Sequence, residues 1–144
     1  MNAHETYHLD VVAAEWCPHC TDAKKQLDTF VHNYRWPLNR KGFTYDWTYL
    51  EDKDGGPLPQ EQAEHDKIAE LFIRMGWDGA YPTFILTKSV SVQQNVDGKV
   101  QEDSYPVSRT VLFGLDTREL RRALRIRPLS RFFPSRRTQS LKNS

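Results

Sequence analysis

Residues 6–20 read TYHLDVVAAEWCPHC, and this stretch decides the fold. In its first nine residues the β-branched Val11 and Val12 stand beside the small Ala13 and Ala14. That composition suits a short buried strand. Pro18 then marks a helix start, because proline is tolerated at the first helical position and pre-sets the backbone there. Downstream, Ala23, Leu27, Phe30, Val31 and Tyr34 fall on one helical face, and Pro37 lies beyond that helix. A strand, a tight turn carrying two cysteines and a helix therefore follow one another without a gap.

The pattern continues outward. In FTYDWTYL, residues 43–50, the aromatic Phe43, Tyr45, Trp47 and Tyr49 alternate with Thr44, Asp46 and Thr48, which predicts a strand. EDKDGGPLP is a loop, where solvation accounts for Glu51, Asp52 and Asp54. A second helix is expected from about Gln60 to Met75, with Ile68, Leu71, Phe72 and Met75 as its apolar stripe. Phe84-Ile85-Leu86 reads as a third strand after Tyr81-Pro82-Thr83. Asp97-Gly98 is a hairpin turn between SVSVQQN and KVQED. Val111-Leu112-Phe113 is another extended run, so residues 88–113 leave open which part supplies the fourth strand. Asp116 begins the last helix, with Glu119 as its capping-box partner and Leu120, Ala123 and Leu124 on its buried side. The expected order is β-α-β-α-β-β-α: an α/β domain over residues 1–126 with a mixed sheet of about four strands flanked by helices. Trp36, Trp47 and Trp77 are expected in the core or on a sheet face, and Trp16 at the rim of the cysteine turn.

The chain has 144 residues, 38% of them hydrophobic and 27% charged, which suits one globular domain. No apolar run approaches the roughly 20 residues of a membrane helix. The opening MNAHETYHLD is polar, unlike a secretory leader, so a cytoplasmic protein is expected. The net charge of +1 hides an asymmetry. Residues 117–144 carry nine Lys or Arg against Glu119 alone, leaving −7 on the remainder. Residues 127–144 are expected to form a basic, mobile tail suited to an acidic or nucleic-acid partner, or simply to solvent. No membrane association is expected, and a monomer is.

Cys17 and Cys20 are the only cysteines. A bond between thiols this close closes almost no loop and adds little stability, so the pair reads as chemical. At a helix start, free backbone N–H groups and the positive end of the dipole favour a thiolate. A thiolate is the attacking species in disulfide exchange. Cys17 is thus the candidate nucleophile, and Cys20, one turn on and expected to be less exposed, the resolving thiol. His19 either adds cationic stabilisation to that thiolate or is a plain exposed residue. A tetrahedral zinc site built from the cysteines and two of His4, His8, His19, His32 and His65 lacks supporting spacing. No metal and no bound cofactor are expected.

These motifs bring a resemblance. Ala14-Glu15-Trp16-Cys17 followed by Cys20 resembles the active-site strand end of thioredoxins. Pro18 is similar to glutaredoxins, and Cys-Pro-His-Cys resembles the active site of bacterial periplasmic disulfide oxidases. Tyr81-Pro82-Thr83 resembles the cis-proline loop of the same thioredoxin superfamily, and Gly114-Leu115-Asp116-Thr117 the glutaredoxin segment that binds glutathione. The resemblance spans about residues 6–125. It implies a thioredoxin-like fold and a thiol–disulfide oxidoreductase, glutaredoxin-like in preference and thioredoxin-like next. Its implied site has Cys17, Pro18, His19, Cys20 and Pro82 in the chemistry. Trp16, Tyr81, Thr83, Gly114, Asp116 and Thr117 would line the substrate. It also implies a cis Tyr81–Pro82 bond facing the cysteines, disulfide-containing protein substrates, and glutathione or a flavoenzyme as reductant. The buried acid of thioredoxins would fall at Val11, and Asp10 points the other way. The competing reading is a binding module on the same scaffold, using its basic tail rather than its thiols.

Overall fold

Leu9, Val11 and Val12 are wholly buried, and they draw strand β1 (Asn2–Ala14) into the middle of the molecule. A computed structural model describes residues 2–128. After β1 come helix α1 (Pro18–Asn33), a short helix α2 (Arg35–Arg40), strand β2 (Thr44–Glu51) and helix α3 (Gln62–Met75). Strands β3 (Thr83–Val96) and β4 (Lys99–Leu112) follow, then helix α4 (Thr117–Ala123). The sheet order is β2-β1-β3-β4. β1 runs parallel to β2 and antiparallel to β3, and β4 is antiparallel to β3. The chain is therefore an α/β protein with a mixed four-stranded sheet.

Because side chains alternate along a strand, the sheet builds a core on each face. On one, Leu9, Val11, Phe84 and Leu86 meet Ala23, Leu27 and Phe30 of α1 and Leu120 and Leu124 at α4. On the other, Val12, Leu50 and Ile85 meet Phe72 of α3 and Trp77. Fully burying a Leu or Phe is worth about 1.5–3 kcal/mol, so these layers hold the helices to the sheet. Val11 lies in the first core and Asp10 on the opposite face, as alternation requires.

Three sequence expectations are corrected, and the one for Pro37 is met with an added detail. The element order has an extra helix, α2, that the periodicity of six residues was too short to reveal. Pro37 does lie beyond α1, yet it falls inside the first turn of α2, where its missing N–H has no helical partner to lose. Leu71 is 58% exposed; the buried edge of α3 runs through Ile68, Phe72 and Met75, and Leu71 lies round the helix from it. Trp36 is 67% exposed rather than in the core.

The ambiguity over the fourth strand resolves simply. Phe113 lies just past the end of β4, but KVQED and Val111-Leu112 belong to that one strand, paired with β3 along its length. The turn between them is two residues long, and Asp97 and Gly98 have φ of 53° and 77°. Two successive positive φ values match the twist of a hairpin, and Asp-Gly tolerates both. Lys88 pairs with Ser108 but Ser89 with Pro106, so Val107 bulges out. Pro106 cannot donate to a ladder and sits on an edge strand, where that costs least. No helix among the described residues is long and apolar enough to cross a membrane. Of the basic tail assigned to residues 127–144, all beyond Pro128 lies outside the described residues.

Candidate active site

The end of β1 is turned sharply into α1. Glu15 N donates to Glu51 O at 2.9 Å, and Cys17 N donates to Ala14 O at 3.2 Å. Cys17 is the N-cap of α1, in extended conformation, with Pro18 in the first turn. Its side chain caps nothing, and no acidic residue sits in that turn. The N-terminal amide dipoles therefore act on the Cys17 sulfur with no carboxylate competing for them in the first turn. The two cysteines approach to 3.1 Å without a disulfide.

Exposure does not distinguish the two thiols, at 4% for Cys17 and 3% for Cys20. The expectation that Cys20 is the less exposed is thus met only nominally. Its chemistry does set it apart. Burial pushes the Cys20 thiol up to about 12, and the neighbouring Cys17 adds to the rise. Cys20 is a protonated thiol through the neutral range, able to hold a proton beside Cys17.

The Tyr81–Pro82 peptide is cis, as the resemblance implied, and so is Leu58–Pro59, which the sequence did not signal. Cys17 Sγ lies 3.9 Å from the Tyr81 carbonyl oxygen, the long limit for a thiol donor. Ala80 O holds this loop by accepting from Trp77 Nε1 and from Thr83 Oγ1, each at 2.8 Å. Thr83 is wholly buried, so it shapes the loop from beneath and offers no surface to a substrate.

Glu51 is the residue that sequence reasoning missed. It ends β2 rather than standing solvated in the loop. Its Oε1 accepts from Trp16 Nε1 at 3.1 Å, and its carboxylate faces the Tyr81 hydroxyl. Burial, then Glu51, push the Tyr81 phenol well up, so it stays neutral. Trp16 and Tyr81 pack edge to face with centroids 6.0 Å apart. One carboxylate thus ties together two aromatic side chains beside the cysteines. Asp52 has a separate task, accepting from Asp54 N and Gly56 N to close the loop.

A cleft of about 400 Å³ opens next to this cluster, between His19 and Asp22 of α1, Tyr81-Pro82, and Phe113-Gly114. Trp16 is 48% exposed and Phe113 65%. Phe113, read from sequence only as part of an extended run, stands at the cleft wall. The Gly114–Thr117 segment does not act as one unit. Gly114 lines the cleft, while Asp116 caps α4, its Oδ1 accepting from Arg118 N at 2.9 Å and Glu119 N at 3.2 Å. Thr117 faces a second groove with Lys25, Thr29 and Phe30. The first turn of α4 is thus occupied by its own N-cap. Another hollow, about 590 Å³, lies along α2 and β2 and includes neither cysteine.

Compared with protein families, curated proteins and solved structures, the chain finds no match in any of the three.

Proposed function

We propose that this protein is a thiol–disulfide oxidoreductase on a thioredoxin-like scaffold. The observation that carries the reading is the Cys17–Cys20 pair at the start of α1, beside the Tyr81 carbonyl of a cis-proline loop. The strand order β2-β1-β3-β4 and the parallel β1–β2 pair support that scaffold.

In the forward direction the Cys17 thiolate attacks one sulfur of a substrate disulfide. The substrate S–S bond breaks, the leaving sulfur takes a proton, and a Cys17–substrate mixed disulfide forms. Cys20 then gives up its proton to the departing thiolate and attacks the Cys17 sulfur. The substrate leaves reduced by two electrons, and Cys17 and Cys20 are left as a disulfide. Two molecules of a small thiol such as glutathione, which leave joined as their own disulfide, or a dithiol re-reduced by a flavoenzyme, return the pair to the dithiol. The raised Cys20 pKa suits the resolving step, because the proton is kept until a leaving group needs it. The Tyr81 carbonyl and the amide edge of the loop suit an extended polypeptide, with Trp16 and Phe113 as apolar walls. Protein disulfides are therefore the preferred substrates, with glutathione as co-substrate.

The test is a redox titration against glutathione, with species resolved by intact mass, alongside turnover of a protein disulfide. One two-electron transition is expected. Cys17→Ser should abolish turnover, and Cys20→Ser should trap a mixed disulfide on Cys17. Turnover that survives Cys17→Ser would refute the assignment, as would the absence of any redox transition.

A further inference from the structure

We propose that His8, Asp10 and Asp46 form a binding site for one divalent transition-metal ion of the zinc type, astride β1 and β2. The site is separate from the cysteines and independent of the redox reading. It follows from strand register. His8 and Asp10 are two residues apart on β1 and share a face. In the parallel β1–β2 ladder His8 pairs with Thr44 and Asp10 with Asp46. The three side chains therefore converge on the sheet face that α3 covers only further along, at Val12, Leu50 and Ile85.

The distances fit a metal. His8 Nε2 lies 3.3 Å from Asp10 Oδ1 and 3.3 Å from Asp46 Oδ2. A tetrahedral ion with bonds of about 2.0–2.1 Å has ligand atoms about 3.3–3.4 Å apart. Two edges of the tetrahedron are thus already set. All three ligand atoms lie within 4.8 Å of one another. The remaining Asp10–Asp46 edge can close by rotation of Asp46, whose side chain is 73% exposed. One nitrogen and two carboxylates give an N/O set that suits zinc better than a thiol-seeking ion. Three protein ligands leave a fourth position for water on the exposed side.

The surroundings are built as a metal site requires. His8 Nδ1 is 2.6 Å from Thr44 Oγ1, which fixes the ring so that Nε2 faces the carboxylates. Across β1 from Thr44 and Asp46, Thr87 of β3 pairs with His8 and shares its face. Thr87 is buried, so it backs the His8 side chain on the side away from the two carboxylates. Asp10 and Asp46 pair across the β1–β2 ladder, so two carboxylates of like charge stand side by side. A cation between the two carboxylates removes their mutual repulsion.

The test uses the full chain carrying Cys17→Ser and Cys20→Ser, so that thiols contribute no binding. Co²⁺ and Zn²⁺ are titrated by visible absorption and calorimetry. We expect one ion per chain, a Co²⁺ spectrum without a sulfur charge-transfer band, and a rise in melting temperature with zinc. In that background Asp46→Asn and His8→Gln should each weaken binding by at least about tenfold. Both side chains are partly or largely exposed, so the variants should fold, which circular dichroism checks. Binding that disappears with the cysteines, or that persists unchanged in Asp46→Asn and His8→Gln, would overturn the proposal. So would failure of the cysteine-free chain to bind at millimolar zinc.

Discussion

Cys20 offers the sharpest test of how burial divides labour within the thiol pair. The perturbation is alkylation of the Cys17→Ser variant by iodoacetamide across pH 7–11, folded and in urea. The structure sets the magnitude. Burial moves Cys20 from its ordinary 9.0 to about 12. At pH 8 that lowers its thiolate fraction about a thousandfold. A more basic thiolate is also a better nucleophile, and with a Brønsted slope of about 0.4–0.5 this returns about 20-fold. The variant also loses the charge of Cys17, which supplies the smaller part of the rise. Alkylation of folded Cys20 should therefore be at least about tenfold slower than in urea at pH 8. Steric shielding alone would also slow it, so the pH profile decides. The rate in urea should level off above the ordinary pKa, whereas the folded rate should keep climbing through pH 10. Loss of native circular dichroism limits the usable range. The sign of the linked stability agrees: the native state holds the Cys20 proton that the unfolded state releases. This contribution is complete below 9.0 and lost as pH rises towards about 12. A folded profile that levels off with the unfolded one, near the ordinary pKa, would refute the reasoning.

Two further outcomes concern stability. Asp116→Ala removes the cap that accepts from Arg118 N and Glu119 N. It should cost about 1 kcal/mol, with Asp116→Asn retaining most of it, as read by thermal melting; equal melting of all three proteins would remove the cap from the account of α4. Gly76 ends α3 at φ 116°, and a Cβ there would stand 2.8 Å from Val111 Cγ2. Gly76→Ala should therefore destabilise by about 1–3 kcal/mol in urea unfolding, and an unchanged midpoint would show that Val111 yields freely.

Periodicity made much of this molecule legible. Alternation along FTYDWTYL set the faces of β2, and the 3–4 spacing from Ala23 to Phe30 set the buried face of α1, because both patterns are local consequences of backbone geometry. The Asp97-Gly98 turn was legible for the same reason, since only a few residues accept two positive φ values in succession. The short helix α2 was not, because six residues carry too few apolar positions to define a face. Leu71 misled because adjacent apolar residues on a helix point about 100° apart, and only packing decides which one is buried.

The thiol turn is a local matter: Cys17 at a helix start with Pro18 behind it and Cys20 one turn on is an arrangement made by consecutive residues. Tertiary structure alone decided what surrounds it. Glu51 reaches Trp16 and Tyr81, and Phe113 reaches the cleft, only because the sheet sets its strands in the order β2-β1-β3-β4. His8, Asp10 and Asp46 meet for the same reason, across a parallel ladder that joins residues 36 positions apart. Side-chain direction is a local property and can be read along the chain. Strand register is settled by two buried faces at once, and it appears only when the sheet has formed.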